Sequence, residues 1–98
     1  MVTGVAVFDL LLGEVDSLKQ KRAVVRPIVA ALKRLDVAAA ETGALALHRR
    51  AEIAVASVAN SHGRIRDVLD ACERLVAGRP EVQLLACKVR IFDDDDVE

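Results

Sequence analysis

Residues 51–76, AEIAVASVANSHGRIRDVLDACERLV, change from the two-residue period of a β-strand to the longer period of an α-helix. Over residues 51–59, Ile53 and Val55 alternate with small or charged residues, which predicts a strand. The helix that follows has a single apolar stripe, which consists of Ile65, Val68, Leu69, Cys72, Leu75 and Val76. This strand and helix have the clearest periodicity in the chain.

Turn-forming and capping residues bound these elements. Asn60 or Ser61 provides the cap of the helix, Gly78 ends it, and Pro80 prevents its continuation. Gly13 closes an earlier apolar segment in the same way. The boundaries therefore agree with the periodicity on both sides of the helix.

Three further segments favour strands. Residues 2–12, VTGVAVFDLLL, are apolar on both faces, which predicts a central strand. Residues 37–42, VAAAET, predict a weak strand because alanine has a low β preference, and residues 43–50 form a connection. Residues 81–92, EVQLLACKVRIF, alternate and predict the last strand.

Another helix, the first in chain order, is predicted to begin after Ser17, which forms a capping box with Gln20. Its apolar positions are Leu18, Val25, Ile28, Val29, Leu32 and Leu35. Pro27 lies inside this pattern and predicts a kink over residues 23–27, because proline removes a backbone donor. The alternative is a helix that begins at Pro27, preceded by a separate turn.

The order β-α-β-β-α-β predicts an α+β fold of the ferredoxin-like type, a two-layer sandwich with a four-stranded antiparallel sheet and two helices on one face. Residues 1–92 are expected to form this single domain, and residues 93–98 an acidic, disordered tail. The residues expected in the layer between sheet and helices are Phe8, Leu10, Ile53, Val55, Leu85, Val89 and Ile91.

The opposite face of the sheet is also predicted to be apolar. Its expected members are Val5, Val7, Ala54, Ala56, Val58 and Leu84. Apolar patches of this kind on small proteins usually mark an interface, so we expect a homodimer. The alternative is a shallow alanine and valine surface that remains exposed.

The composition narrows the class of protein. The 98 residues are 53% hydrophobic, which favours a folded domain, yet no apolar run approaches the roughly 20 residues of a membrane span. No secretory signal pattern is found, and Cys72 and Cys87 do not form a disulfide framework. A cytoplasmic protein with reduced thiols and no membrane contact is expected.

The charge is unevenly distributed. The net charge is −1, but five acidic residues lie in the last six positions, DDDDVE, and the rest of the chain has 14 basic and 10 acidic residues. A modestly basic body can approach a polyanion, although this excess is no strong signal for nucleic acid, and DNA binding is not expected.

A cationic ridge is predicted on the first helix. Lys19, Arg22, Arg26 and Lys33 fall within about 60° of one another on a helical wheel, opposite the apolar stripe. Cations at a helix start are unfavourable because of the helix dipole, and a bound anion would reverse this effect. The expected anion- or RNA-binding residues are Ser17, Lys19, Lys21, Arg22 and Arg26, with Arg49 and Arg50 as secondary contacts.

Two observations limit this interpretation. Lys21 points with the apolar stripe, so it must reach solvent past the sheet or pair with Glu41, Asp9 or Glu52. The other ridge residues could form a solvated surface neutralised by nearby Glu14 and Asp16.

The sequence from Ser17 to Arg26, SLKQKRAVVR, resembles the S-L-K-E-K-R-x-V-x-[KR] signature of the YlxP family of small bacterial domains of unknown function. Residues 39–41, 50–56 and 81–82 resemble its V-A-E, R-x-x-[IF]-G-[IV]-A and P-E-[IV] segments. Ala46 and Ala54 replace an Asp and a Gly of the family pattern. The resemblance implies a ferredoxin-like fold. It also implies a role near ribosome assembly or translation, because genes of this family neighbour those of initiation factor 2 and ribosome-binding factor A.

No catalytic, metal or cofactor site is predicted. His48 and His62 have no ligand-like neighbours, and the chain has no phosphate-binding glycine loop. The absence of such motifs favours a non-enzymatic module, and the resemblance to the YlxP family implies that it contacts ribosomal RNA or a ribosomal subunit, through phosphates. The alternatives are a homo-oligomeric interaction module that uses the apolar sheet face, and a small-anion-binding domain.

Overall fold

The computed structural model describes residues 1–94 and has six elements in the predicted order. These are β1 (Val2–Leu12), α1 (Leu18–Lys33), β2 (Ala38–Gly43), β3 (Arg50–Ala59), α2 (His62–Ala77) and β4 (Val82–Phe92). The order of strands in the sheet is β2-β3-β1-β4 and all three pairings are antiparallel. The ferredoxin-like α+β fold is thereby confirmed, with β1 and β3 at the centre of the sheet.

The core lies between the sheet and the two helices. Every second residue of β1 is buried, and Ala6, Phe8 and Leu10 are fully buried. Ile53 of β3 pairs with Phe8 and is also fully buried. The helical residues that complete this core are Val25, Ile28, Leu32, Ile65, Val68, Leu69, Cys72 and Val76. Both predicted helical stripes therefore pack on one face of the sheet.

The first helix is continuous through Pro27, so the alternative start at this residue is wrong. Pro27 is exposed, and the backbone carbonyl that it leaves unpaired therefore lies on the solvent side. The Ser17 hydroxyl caps the helix and accepts from the Gln20 N–H at 3.1 Å. The Gln20 side chain accepts from the Asp16 N–H, one residue before the expected position in a capping box.

A β-bulge in β4 makes two of the predicted orientations wrong. Asp9 pairs with Ala86 and Leu10 pairs with Leu84, so Leu85 is an extra residue and the alternation reverses there. Leu85 is consequently 43% exposed and is not in the core. Leu84 packs against the core instead and does not belong to the open face of the sheet.

Val89 is also more exposed than predicted. It pairs with Ala6, which places it on the side of the helices, but β4 is an edge strand and 46% of Val89 remains exposed. The helices therefore do not cover this part of the sheet edge.

The described part of the acidic tail lies near the start of β1. Asp94 forms an ion pair with the amino terminus at 2.9 Å, and Asp93 lies 3.3 Å from His62. Residues 95–98, which complete the predicted tail, lie outside the described residues. Neither helix between residues 1 and 94 has the length and hydropathy needed to cross a membrane.

Gly4 lies where β1 packs closely against α2. A Cβ atom at this position would lie 2.5 Å from Ile65 Cγ2 and 2.9 Å from Leu69 Cδ1. We therefore expect Gly4→Ala to lower the free energy of unfolding by about 1–3 kcal/mol, as measured by urea denaturation, because the added methyl group overpacks the core.

Gly63→Ala is the matched control, since nothing lies within 4 Å of the corresponding Cβ position. This change is expected to leave stability unchanged or to raise it by up to about 1 kcal/mol, because alanine favours the helix. Equal stability of Gly4→Ala and the unchanged protein would contradict the described packing.

Candidate anion-binding site on the first helix

Lys21 is turned into the protein. Its side chain is only 3% exposed, and its ammonium group lies 2.9 Å from Glu41 Oε2. The same group donates a hydrogen bond to the Ala44 carbonyl oxygen at 2.6 Å. This confirms Glu41 as the partner among the three carboxylates considered. Because both partners belong to the protein, Lys21 does not contribute a phosphate contact.

The contacts of Lys21 join three elements. They connect the first turn of α1 to strand β2 and to the loop between β2 and β3. Ala44 has a φ of 56°, a left-handed conformation that costs a non-glycine residue roughly 1–2 kcal/mol. The hydrogen bond from Lys21 helps to stabilise this conformation. The 2.9 Å separation between the Lys21 ammonium and Glu41 Oε2 is short enough for a strong charge–charge attraction in this largely buried position.

The remaining cations of α1 point outward. Lys19, Arg22, Arg26 and Lys33 are exposed, as the helical wheel predicts. Within residues 1–94, no carboxylate lies within ion-pair distance of any of them. Glu14 and Asp16, which could have neutralised them, are exposed and do not form such pairs. We call these four residues the α1 ridge.

The start of α1 strengthens the positive potential of the α1 ridge. Its first turn contains no acidic residue. The Ser17 hydroxyl accepts from Gln20, while the N–H groups of Leu18 and Lys19 have no acceptor within the described part of the chain. The free N–H groups, the positive end of the helix dipole and the cations therefore all contribute to a positive potential at this end of the helix.

The two arginines proposed as secondary contacts lie elsewhere. Arg49 Nε donates to the Gly13 carbonyl oxygen at 3.0 Å, beyond the end of β1. Arg50 lies 3.5 Å from Asp9 Oδ1, and it follows the alternation of β3 onto the sheet face that lacks helices. Arg50 therefore does not join the α1 ridge, and Arg49 is partly occupied by the backbone.

Two depressions follow the outward side of α1. One has a volume of about 530 Å³ and is lined by Lys19, Arg22, Ala23, Arg26 and Pro27. The other has a volume of about 430 Å³ and lies between α1 and β2, with Arg22, Arg26 and Lys33 at its rim. Sequence reasoning found the cations but not the second depression, because its wall comes from Glu41 of a different element.

The surroundings of Cys72 and Cys87 keep both thiols protonated. Burial raises the pKa of the Cys72 thiol. Burial, with a smaller effect from Glu73, raises the pKa of Cys87 to about 12. Both thiols are therefore protonated and weakly nucleophilic near neutral pH. Residues 1–94 contain no group of His, Cys, Asp or Glu side chains suited to hold a metal ion.

The fold and this surface define a small ferredoxin-like domain with a cationic first helix. Residues 3–89 match the model of a family described as a protein of unknown function, DUF503, and the chain belongs to this family. No curated protein shows significant similarity to the chain.

The buried Lys21 leads to a stability prediction. Lys21→Met removes the ammonium group but keeps most of the volume, so Glu41 and the Ala44 carbonyl lose their partner. We expect the free energy of unfolding to fall by about 2–4 kcal/mol in urea denaturation.

Two further variants control this measurement. Adding Glu41→Gln to Lys21→Met removes the unpaired charge and should recover part of the loss. Lys19→Met, at an exposed position, should change stability by less than about 1 kcal/mol. If Lys21→Met is as stable as Lys19→Met, the buried pair does not have the proposed structural role.

Proposed function

We propose that this protein is a non-enzymatic module of the bacterial cytoplasm that binds ribosomal RNA, on a ribosomal subunit or its precursor, through phosphate contacts. Lys19, Arg22 and Arg26 would make these contacts. The observation that carries the proposal is that these side chains are exposed along the first three turns of α1 and have no carboxylate partner within residues 1–94. The resemblance to the YlxP family supports the choice of the ribosome.

The proposed contacts are to phosphates and not to bases. RNA-binding sheets of related topology stack bases on aromatic side chains. This chain has only two aromatic residues, of which Phe8 is fully buried and Phe92 is half-buried at the end of β4. Binding through lysine and arginine alone releases counterions from the RNA, so its affinity should fall as the salt concentration rises.

The arrangement also implies a conflict between stability and binding. Each cation in the first turn is unfavourable by about 0.3–1 kcal/mol in the absence of an anion. Replacing Lys19 by Glu should therefore raise the melting temperature of the free protein while it weakens RNA binding. A solvated ridge without a ligand would show only the first effect.

Charge reversal tests the proposal. The triple variant Lys19→Glu, Arg22→Glu, Arg26→Glu is expected to lose co-sedimentation with ribosomal subunits and to keep its circular dichroism spectrum, because all three side chains are exposed. Its affinity for a ribosomal RNA fragment should fall by at least about tenfold, since three phosphate contacts become repulsive.

The matched control reverses three exposed arginines of α2, at Arg64, Arg66 and Arg74. It changes the net charge by the same amount, so only the position differs. Equal loss in both triple variants would indicate non-specific attraction and contradict the proposed site. A melting temperature that rises with inorganic phosphate, without RNA binding, would favour the small-anion alternative.

A second candidate function is homodimerisation through the sheet face that lacks helices. The observation that favours it is a continuous apolar region across β2, β3 and β1, formed by Ala38, Ala40, Ala54, Ala56, Val5 and Val7. Val58, next to this region, is 64% exposed. Exposed apolar surface of this kind favours contact with an equivalent surface on a second copy.

Val7→Asp and Ala56→Asp test this candidate. Each places a carboxylate in the middle of the proposed interface, so each should shift the protein from dimer to monomer in analytical ultracentrifugation. Val24→Asp, at a half-buried position on α1, serves as a control for general loss of stability. If the protein without substitutions is already monomeric at high concentration, this second function is contradicted.

A further inference from the structure

Strand β2 is an edge strand with an unpaired outer side. Within residues 1–94 it pairs only with β3, so about half of its backbone N–H and C=O groups point away from the sheet. The other edge strand, β4, carries Lys88 and Arg90, a common device against the addition of another strand. Both edge strands have a bulge, β4 at Leu85 and β2 at Thr42, so the regular part of β2 is Ala38–Glu41. Over Ala38–Gly43, β2 contains no lysine, arginine or proline.

The depression between α1 and β2 lies directly beside this edge. Its apolar floor is formed by Val25, Val29 and Ala30 of α1, and Glu41 of β2 forms its wall. Its volume is about 430 Å³. A strand added beyond β2 would direct every second side chain into this depression, because side chains alternate along a strand.

The rim of the depression is positive. Arg22 and Arg26 project from neighbouring turns of α1 and Lys33 from two turns further on, and the carboxylate of Glu41 is already paired with Lys21. An occupant that matches both the floor and the rim must combine small apolar side chains with carboxylates. Phosphates of RNA would satisfy the rim but would leave the apolar floor without a partner.

A second copy of the chain does not fit at this edge. Antiparallel pairing of β2 with its own copy would relate the two α1 helices by a two-fold axis and bring their cationic rims together. Like charges facing each other oppose such pairing. The unpaired edge and the positive rim therefore favour a different partner.

We propose that an extended, acidic segment of another protein adds to β2 as a fifth strand of the sheet. Its backbone pairs with the outer side of Ala38–Glu41, its small apolar side chains contact Val25, Val29 and Ala30, and its carboxylates pair with the rim. This mode of binding is strand addition at a sheet edge beside a helix. This peptide-binding activity shares Arg22 and Arg26 with the proposed phosphate contacts, so the two ligands would compete for these side chains.

A designed peptide tests this proposal. The probe is a fluorescein-labelled peptide with the repeated sequence SESV, which presents Glu and Val on one face of a strand and Ser on the other. It should bind the full chain in fluorescence anisotropy. A peptide of repeated SKSV, with the opposite charge, should not bind, and neither should SESV that is methylated at every backbone nitrogen.

Variants of the protein locate the binding. Lys33→Glu and Ala30→Glu place negative charge in the depression, so each should lower the affinity for the SESV peptide by about three- to tenfold. Lys19→Glu is the matched control, because Lys19 does not line this depression, and it should leave peptide binding nearly unchanged. Lys19→Glu should nevertheless weaken RNA binding, so this variant distinguishes RNA binding from peptide binding.

Several outcomes would overturn the proposal. Absence of SESV binding would do so, as would equal binding of the methylated peptide, which cannot form a strand. A loss of RNA binding in Lys33→Glu and Ala30→Glu without any peptide binding would assign the depression to RNA. Assembly of the protein that depends on Ala30 and Lys33 would assign the edge to a second copy.

Discussion

The contact of one buried ammonium group with Glu41 and the Ala44 carbonyl determines how the surface of this domain is arranged. Lys21 connects the first turn of α1 to β2 and to the loop that follows it. The position of α1 over the β2 edge depends on this contact in addition to the packing of Val25, Ile28 and Leu32. The depression between the helix and the strand, and the orientation of the cations beside it, follow from that position.

The sequence SLKQKR therefore contains side chains with two different roles. One cation is buried and stabilises the junction of three elements, whereas Lys19 and Arg22 are exposed and lack carboxylate partners within the described residues. Exposed cations at a helix start reduce the stability of the free protein. A function that requires a bound anion explains why such residues can be retained there.

Much of the fold could be predicted from the sequence, because the strands and helices have distinct apolar periods. The pairing of Lys21 with a carboxylate was also accessible, since a helical wheel places this lysine on the apolar side. The reversal at Leu85 could not be found, because a bulge depends on pairing with β1 and leaves the alternation of residues 81–92 intact in the sequence. The alternation alone consequently predicts the wrong faces for Leu84 and Leu85.

Only part of the candidate site can be predicted from the sequence. The cations of the α1 ridge lie on one helix and could be recognised from their spacing. The depression beside them combines α1 with an alanine-rich edge strand, and the pairing order β2-β3-β1-β4 had to be known before its open edge became apparent. Arg50 is predicted as a secondary contact because it is basic, but the alternation of β3 places it on the face of the sheet opposite the helices.

The central claim is that the exposed cations of α1 bind RNA phosphates, and the salt dependence of binding tests it most directly. The affinity for a purified ribosomal RNA fragment would be measured by fluorescence anisotropy over a series of potassium chloride concentrations. Three phosphate contacts predict a slope of about −2 to −3 in a plot of log affinity against log salt. A slope near zero would contradict the account.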